Sequence, residues 1–247
     1  MIRIVLVVLF VALFLISCLP YFGLEWILGK CFDKRRSDLR QLRYVQWGFK
    51  VVMFLSGVKV TFLGDENIPE QEACLFVGNH RGMFDIVSTY SHMKDLTGFI
   101  SKDNILKVPI LPFVMKRLYC LFLNRKDPKE GMKTITKSFD YIRQGVSIFI
   151  FPEGTRNKND DDTQLLMMHN GSFKAAQRTG CPVVPVAISG SDRVLEKQFP
   201  KIRASHIVVR YGKPVYYKDL PEDAKKNIGD YFAGIITEML KENAPLI

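Results

Sequence analysis

Cys74-Leu75-Phe76-Val77-Gly78-Asn79-His80-Arg81-Gly82-Met83-Phe84-Asp85 opens as an apolar run, stops at a Gly-Asn turn signal, and then delivers a histidine and an aspartate. Residues 74–77 read as a short buried strand. Neighbours on one helix face are three or four residues apart, so a spacing of five does not place His80 and Asp85 on one regular helix. The spacing predicts His80 at the strand end and Asp85 in the turn or first helical turn beyond it, with Gly82 allowing the bend. Imidazole titrates near neutrality, and a carboxylate on one ring nitrogen orients the ring and stabilises its charged form. That is the minimum equipment of a general base, although an isolated His–Asp pair serves equally well as a structural hydrogen bond.

Further along, Ile148-Phe149-Ile150-Phe151-Pro152-Glu153-Gly154-Thr155-Arg156 repeats the form: a buried strand entering a polar turn, here with a carboxylate, a glycine, a hydroxyl and a guanidinium. Strand-like segments are expected at 58–62, 98–101, 119–123, 146–151, 183–188 and 207–211. Between them, helical patterns fall at about 85–93, 105–116 (interrupted by Pro109 and Pro112), 128–143, 172–179 and 221–243. Pro128 suits a helix start, Ser172 a cap, and Gly145 and Gly180 stops. Residues 157–162 form a charged loop without pattern, expected to be mobile. Strands alternating with helices imply an α/β domain with a mostly parallel central sheet flanked by helices.

Together, Asn79-His80-(four residues)-Asp85 and, well downstream, Phe151-Pro152-Glu153-Gly154-Thr155-Arg156 resemble the glycerolipid acyltransferases, most closely the 1-acyl-glycerol-3-phosphate (lysophosphatidate) acyltransferases. Leu121-Phe122-Leu123-Asn124-Arg125 is similar to that family's strand ending in a basic residue. Val183-Val184-Pro185-Val186-Ala187-Ile188 is similar to its late proline-containing strand. The resemblance covers residues 58 to 215 with four blocks in family order. One position departs, since the family more often has Ser where this chain has Gly82.

The resemblance implies transfer of a fatty acyl group from a thioester donor (acyl-CoA or acyl carrier protein) to the free hydroxyl of lysophosphatidate, giving phosphatidate. Such a reaction needs a base, oxyanion donors and grips on both substrates. His80 and Asp85 are the catalytic candidates. No Gly-x-Ser-x-Gly elbow and no cysteine close in sequence to His80 supplies a nucleophile, which favours direct attack by the acceptor hydroxyl. A backbone N–H of the Gly154 turn is the candidate oxyanion donor. Arg125 and Arg156 are the family's basic positions, and Lys102 follows a strand in the same way. Guanidinium suits phosphate through its planar fork, and ligands of open α/β sheets bind beyond strand ends. Glu153 would hold the acceptor's glycerol hydroxyl or orient Arg156, with Gly154 and Thr155 completing the substrate-binding turn. Two alternatives stand beside this reading: the same chemistry on glycerol-3-phosphate or a lyso-aminolipid, and a non-catalytic membrane-tethered lipid-binding protein.

The 247 residues suffice for one sizeable domain and an appendage, expected as membrane-attachment helices over 1–57 and a catalytic domain over 58–247. The stretch 4–24 is apolar apart from Ser17, Pro20, Gly23 and a few tyrosine and cysteine atoms, and at about 1.5 Å per residue it reaches ~31 Å, the hydrocarbon thickness. A membrane span, a half-embedded hairpin and a cleaved leader compete here, and Leu15-Ile16-Ser17-Cys18 resembles a lipoprotein cleavage box. Lys30, Lys34, Arg35 and Arg36 follow the apolar run against Arg3 before it, which places the catalytic part on the cytoplasmic side of the cell membrane. Residues 39–55 form an amphipathic second helix with Arg40, Arg43, Gln46 and Lys50 on one face. That face either packs on the domain or lies among anionic headgroups.

The formal charge of +10 admits nucleic acid as a partner, but no nucleic-acid motif accompanies it; anionic membrane lipids and anionic substrates account for it better. Five cysteines without a CxxC pair read as free thiols, and the four histidines have no ligand spacing, so no metal or cofactor is implied.

Overall fold

The computed structural model describes residues 1–124 and 126–247. Two long helices, α1 (Ile2–Cys31) and α2 (Lys34–Ser56), precede an alternation of strands and helices. These are β1 (Lys59–Leu63), β2 (Leu75–Gly78), α3 (Met83–Tyr90), β3 (Thr97–Lys102), α4 (Leu111–Arg117), β4 (Leu121–Leu123), α5 (Pro128–Arg143) and β5 (Ser147–Ile150). The second half adds α6 (Lys174–Thr179), β6 (Val183–Ser189), β7 (His206–Tyr211), α7 (Glu222–Lys226) and α8 (Ile228–Asn243).

Over the described residues the strands form one seven-stranded sheet in the order β1-β7-β6-β2-β5-β3-β4. Only the β6–β7 pairing is antiparallel, so β2 through β6 point their C-terminal ends to one edge. Strands β2, β5 and β6 are buried along their whole length, and are mostly apolar, because both faces are covered. Phe76, Phe149, Val184 and Val186 enter a core shared with α1, α2 and α3, while Leu75, Ile148, Ile150 and Ala187 enter one shared with α6 and α8.

The expected α/β architecture is therefore present, with local differences. The helical pattern at 105–116 splits into a 3₁₀ turn at Asp103–Lys107 and α4, which starts beyond Pro109 and tolerates Pro112 in its first turn. Ser172 is not a cap; it lies in a 3₁₀ turn, Asn170–Phe173, that runs directly into α6. The closing helix breaks at Asn227 into α7 and α8.

α1 and α2 form an antiparallel hairpin. Tyr21 stacks on Tyr44 at 4.2 Å, and the buried Glu25 carboxylate is gripped by Arg40 at 2.8–3.0 Å. Gly48 lets the Phe14 ring approach so closely that a Cβ there would stand 2.5 Å from it. Pro20 lies within α1 without ending it, and Cys18 is fully buried in the hairpin seam. The α2 polar face turns toward protein: Arg43 donates to the carbonyls of Met93 and Lys94, and Gln46 to those of Tyr90 and Met93. These side chains satisfy carbonyls that the end of α3 and the turn after it leave without helical partners. Of the two readings of the α2 face, packing on the domain describes Arg43 and Gln46, while Lys50 is exposed.

α1 is long and apolar enough to cross a membrane by length and composition, and little of it is buried in the protein. Val5, Leu9, Leu13, Ile16 and Ile27 are exposed along it. Both its ends lie along the domain: the Arg3 guanidinium reaches Gly57 at the end of α2, and Phe22, nearer the other end, faces Phe113 of α4 at 6.3 Å.

Candidate active site

β2 ends at Gly78, and the next two side chains do different work. Asn79, fully buried, bonds both the N–H and the carbonyl of Ile188 on β6, locking the strand ends together. His80 then projects from the edge where β2, β5 and β3 end. Its Nδ1 lies 2.8 Å from Asp85 Oδ2. Asp85 sits in the first turn of α3, and the same oxygen accepts the backbone N–H groups of Arg81 and Gly82 at 2.7 and 2.8 Å. Donors converging on Oδ2 fix it as acceptor and the imidazole as the Nδ1–H tautomer, which leaves Nε2 as the basic nitrogen. Nε2 has no hydrogen-bond partner among the described residues. The ring rests on Phe151 at 4.3 Å, the last member of an aromatic file continuing through Phe149 to Phe99 at 5.0 and 4.6 Å.

Gly82 is not needed for a bend. Its backbone is extended (φ −156°, ψ 173°), a conformation open to any residue. What it supplies is room, because a Cβ at this position would stand 2.6 Å from Glu196 Oε2.

Glu153 is only 4% exposed, and both its oxygens are committed: Oε1 accepts the His80 N–H at 2.7 Å and Oε2 the Leu166 N–H at 2.9 Å. Burial pushes its carboxyl above the usual range, opposed by those two hydrogen bonds and by the nearby His80. This corrects the sequence-based expectation. Glu153 neither faces outward for a glycerol hydroxyl nor touches Arg156; it binds the two motifs to each other. Gly154 holds φ 72° in the turn after β5 and donates its N–H to the Phe151 carbonyl at 3.0 Å, so that N–H is not a spare oxyanion donor.

Arg156 reaches back over the first turn of α3, its Nη1 3.0 Å from Glu196 Oε1 with half of the side chain exposed. Thr155 beside it is exposed. Lys102 ends β3, exposed, opposite Leu123 in register, and no contact joins it to the His80 turn among the described residues. Arg125 lies outside the described residues. The fold thus gathers His80, Asp85, Glu153 and Arg156 around one turn, with Lys102 further along the same edge.

Several participants carried no sequence signal. The loop expected to be mobile is pinned on the site: the Asn157 N–H donates to the His80 carbonyl at 2.7 Å, and its side chain is buried. Arg81, almost fully buried, is held by Asp192 at 2.9 Å and Asp162 at 3.0 Å, joining that loop to the segment after β6. Glu196, from the same segment, accepts the Met83 N–H at 2.8 Å. All three are ordinary charged or polar residues in polar stretches, and only their partners distinguish them.

Beside Phe151 opens a largely apolar cleft of about 510 Å³, between the ends of β3, β4 and β5 and helix α5. Ile100, Leu123, Ile135 and Ile150 line it, with Lys174 at its rim. No group of residues suited to hold a metal ion occurs among the described residues.

A partly buried imidazole held by a fully buried carboxylate thus stands at the end of a central strand, next to the Phe151 ring that also lines the cleft. The Acyltransferase family profile matches residues 59–189, more than half of the chain, and the chain belongs to that family. Among curated proteins it is similar to the chloroplastic 1-acyl-sn-glycerol-3-phosphate acyltransferase BAT2 of Brassica napus, 33% identical over 66% of this chain and 46% of that protein. It is also similar to the 1-acyl-sn-glycerol-3-phosphate acyltransferase of Borreliella burgdorferi, 26% identical over 78% of this chain and 73% of that one. The match thus spans about half the length of the Brassica protein. Among solved structures it shares its fold with the 1-acyl-sn-glycerophosphate (LPA) acyltransferase PlsC from Thermotoga maritima, with a TM-score of 0.73 at 22% identity, covering 98% of this chain and 97% of that one.

Proposed function

We propose that this chain moves a fatty acyl group from a thioester donor, acyl-CoA or acyl carrier protein, to the free hydroxyl of 1-acyl-glycerol-3-phosphate, giving phosphatidate. The observation that carries the proposal is the His80 Nδ1–Asp85 Oδ2 bond of 2.8 Å, which leaves Nε2 as a base at the strand-end edge, with Phe151 touching both the imidazole and the lining of the apolar cleft. In this reading Nε2 takes the hydroxyl proton as the oxygen attacks the thioester carbonyl. The tetrahedral intermediate then collapses, the carbon–sulfur bond breaks, and the imidazolium returns the proton to the leaving thiolate. The volume of the cleft lies in the range of small-molecule sites, and its Ile and Leu lining suits an acyl chain. Arg156, across the catalytic turn, is the ligand for the acceptor phosphate, with Arg125 and Lys102 as further cations for anionic substrate groups. The names of the Brassica napus and Borreliella burgdorferi relatives support the choice of acceptor.

Residues 1–57 act as the attachment unit and residues 58–247 as the catalytic unit. The exposed apolar face of α1, with Arg3 folded back against Gly57, favours a hairpin lying in one leaflet of the cell membrane over a helix crossing it. Lys30, Arg35 and Arg36 near its turn favour anionic headgroups on the cytoplasmic side. The test is purified full-length protein with lysophosphatidate and each donor in turn, the product read by mass spectrometry. Phosphatidate from at least one donor is expected; a product only with another acceptor would displace the acceptor assignment.

A further inference from the structure

The guanidinium assigned to the acceptor phosphate already carries an anion. Glu196 Oε1 sits 3.0 Å from Arg156 Nη1 and accepts the Met83 N–H, at the N-terminal end of α3, at 2.8 Å. Its other oxygen, Oε2, is buried with no hydrogen-bond partner. The carboxylate can reach this position because residue 82 has no side chain, a Cβ there standing 2.6 Å from Oε2. Glu196 is carried by the excursion between β6 and β7, residues 190–205, which has no sheet partner of its own. The carboxylate also lies directly on the catalytic turn, since Asp85 accepts from Gly82 N–H and Glu196 from Met83 N–H, the next residue.

We propose that Glu196 is a resident counter-anion of the acceptor site: it occupies the place of the acceptor phosphate on Arg156 and Met83 N–H, and the phosphate displaces it. The proposal rests on reading Arg156 as the phosphate ligand. A carboxylate and a phosphomonoester ask for the same donors, and a guanidinium beside main-chain N–H groups at a helix start satisfies either. The phosphomonoester brings a charge of about −1.5 to −2 at neutral pH against the single charge of the carboxylate, so it competes successfully at moderate concentration. An uncharged headgroup has nothing to exchange for the Glu196 bond. In the empty site Glu196 keeps Arg156 and the start of α3 paired; on acceptor binding it is released, together with the turn at Glu196–Gln198 that carries it. Displacement taxes the affinity of every anionic ligand by the fraction of time that the site stands open.

The test measures glycerol 3-phosphate binding to the full chain in detergent micelles by calorimetry, with glycerol as the uncharged control. Arg156 is half exposed and its pair is worth what a partly solvated ion pair is worth. Glu196→Ala should therefore bind glycerol 3-phosphate about two- to fivefold tighter than wild type. Glu196→Gln, which keeps the shape and an acceptor oxygen, should show a smaller gain in the same direction and guards against a folding defect in the alanine variant. In an Arg156→Ala background the gain should disappear. Hydrogen exchange of the peptide containing Glu196 should speed up in wild type when glycerol 3-phosphate is added, the opposite of ordinary ligand protection. Weaker or unchanged binding in both Glu196 variants overturns the proposal, because Glu196 would then position Arg156 instead of competing for it. If Glu196→Ala tightens binding while lysophosphatidate is not acylated, the proposed substrate falls and the counter-anion stands. If lysophosphatidate is acylated and the Glu196 variants bind no tighter, the reverse holds.

Discussion

The main-chain N–H of His80 donates to Glu153 Oε1 at 2.7 Å, so the histidine turn after β2 and the glutamate turn after β5 are one structural unit. The other oxygen of the same carboxylate holds Leu166, and through it the loop that covers Arg81. Glu153→Gln places an amide NH₂ against one of two backbone N–H donors. An unsatisfied buried donor costs about 1–3 kcal/mol, so the unfolding free energy should fall by that order and turnover should fall with it as His80 loosens. Equilibrium denaturation in detergent measures the first effect and the acyl-transfer assay the second.

The same residue sets a pH trend. Burial raises the Glu153 carboxyl in the native state, so over the window between its unfolded and raised folded values the native protein holds more of the proton. Stability then decreases as pH rises through that window and levels off above it. Wild type should lose stability relative to Glu153→Gln over this range, and parallel curves for the two proteins would refute the assignment.

His80→Ala should abolish transfer while fold and membrane attachment persist, because Nε2 is the only atom of the turn offered as a base. Asp85→Asn should lose ~10⁴ of the rate through the wrong imidazole tautomer, as in other His–Asp pairs. It should also lose stability, since Oδ2 collects the N–H groups of Arg81 and Gly82 as well as His80 Nδ1. Near-normal turnover of His80→Ala would remove the mechanism.

Arg156→Ala should chiefly raise KM for lysophosphatidate and leave KM for the thioester nearly unchanged. Loss of a charge-assisted bond costs about 1.5–3 kcal/mol, so kcat/KM should fall roughly ten- to a hundredfold or more. Arg156→Lys should restore part of this, because an ammonium lacks the bidentate fork. A raised thioester KM with an unchanged acceptor KM would move Arg156 to the donor site.

With Arg3 folded back to Gly57, a thiol introduced by Arg3→Cys and the native exposed Cys31 should be modified from the same side of sealed vesicles. Modification from opposite sides would establish a span. Leu9→Asp with Leu13→Asp, both on the exposed apolar face of α1, should move the protein from the membrane pellet toward the supernatant. Wild type should stay in the pellet at high salt. A mature N-terminus at Cys18 carrying lipid would instead support the lipoprotein reading.

Sequence alone determined the strand–helix alternation and the positions of His80 and Asp85 relative to β2 and α3, because these follow from local physics. Apolar runs with turn signals mark buried strands, and a five-residue spacing excludes a single helix face. The start of α5 at Pro128 and the end of α6 at Gly180 were legible for the same reason, as local backbone chemistry. What only the tertiary structure decided was pairing across distance. Glu153 looks like an outward-facing site carboxylate in the chain and proves to be a buried tie, because its partners, His80 and Leu166, are set by where β2 and β5 meet. The polar face of α2 looks ready for headgroups until the carbonyls beyond α3 claim Arg43 and Gln46. Glu196 is one charge among many in a polar segment, and nothing in its neighbours announces Arg156, forty residues earlier. Hydrophobic periodicity records which side of an element is buried; which polar group completes another depends on the packing of the whole sheet, and no local pattern carries that information.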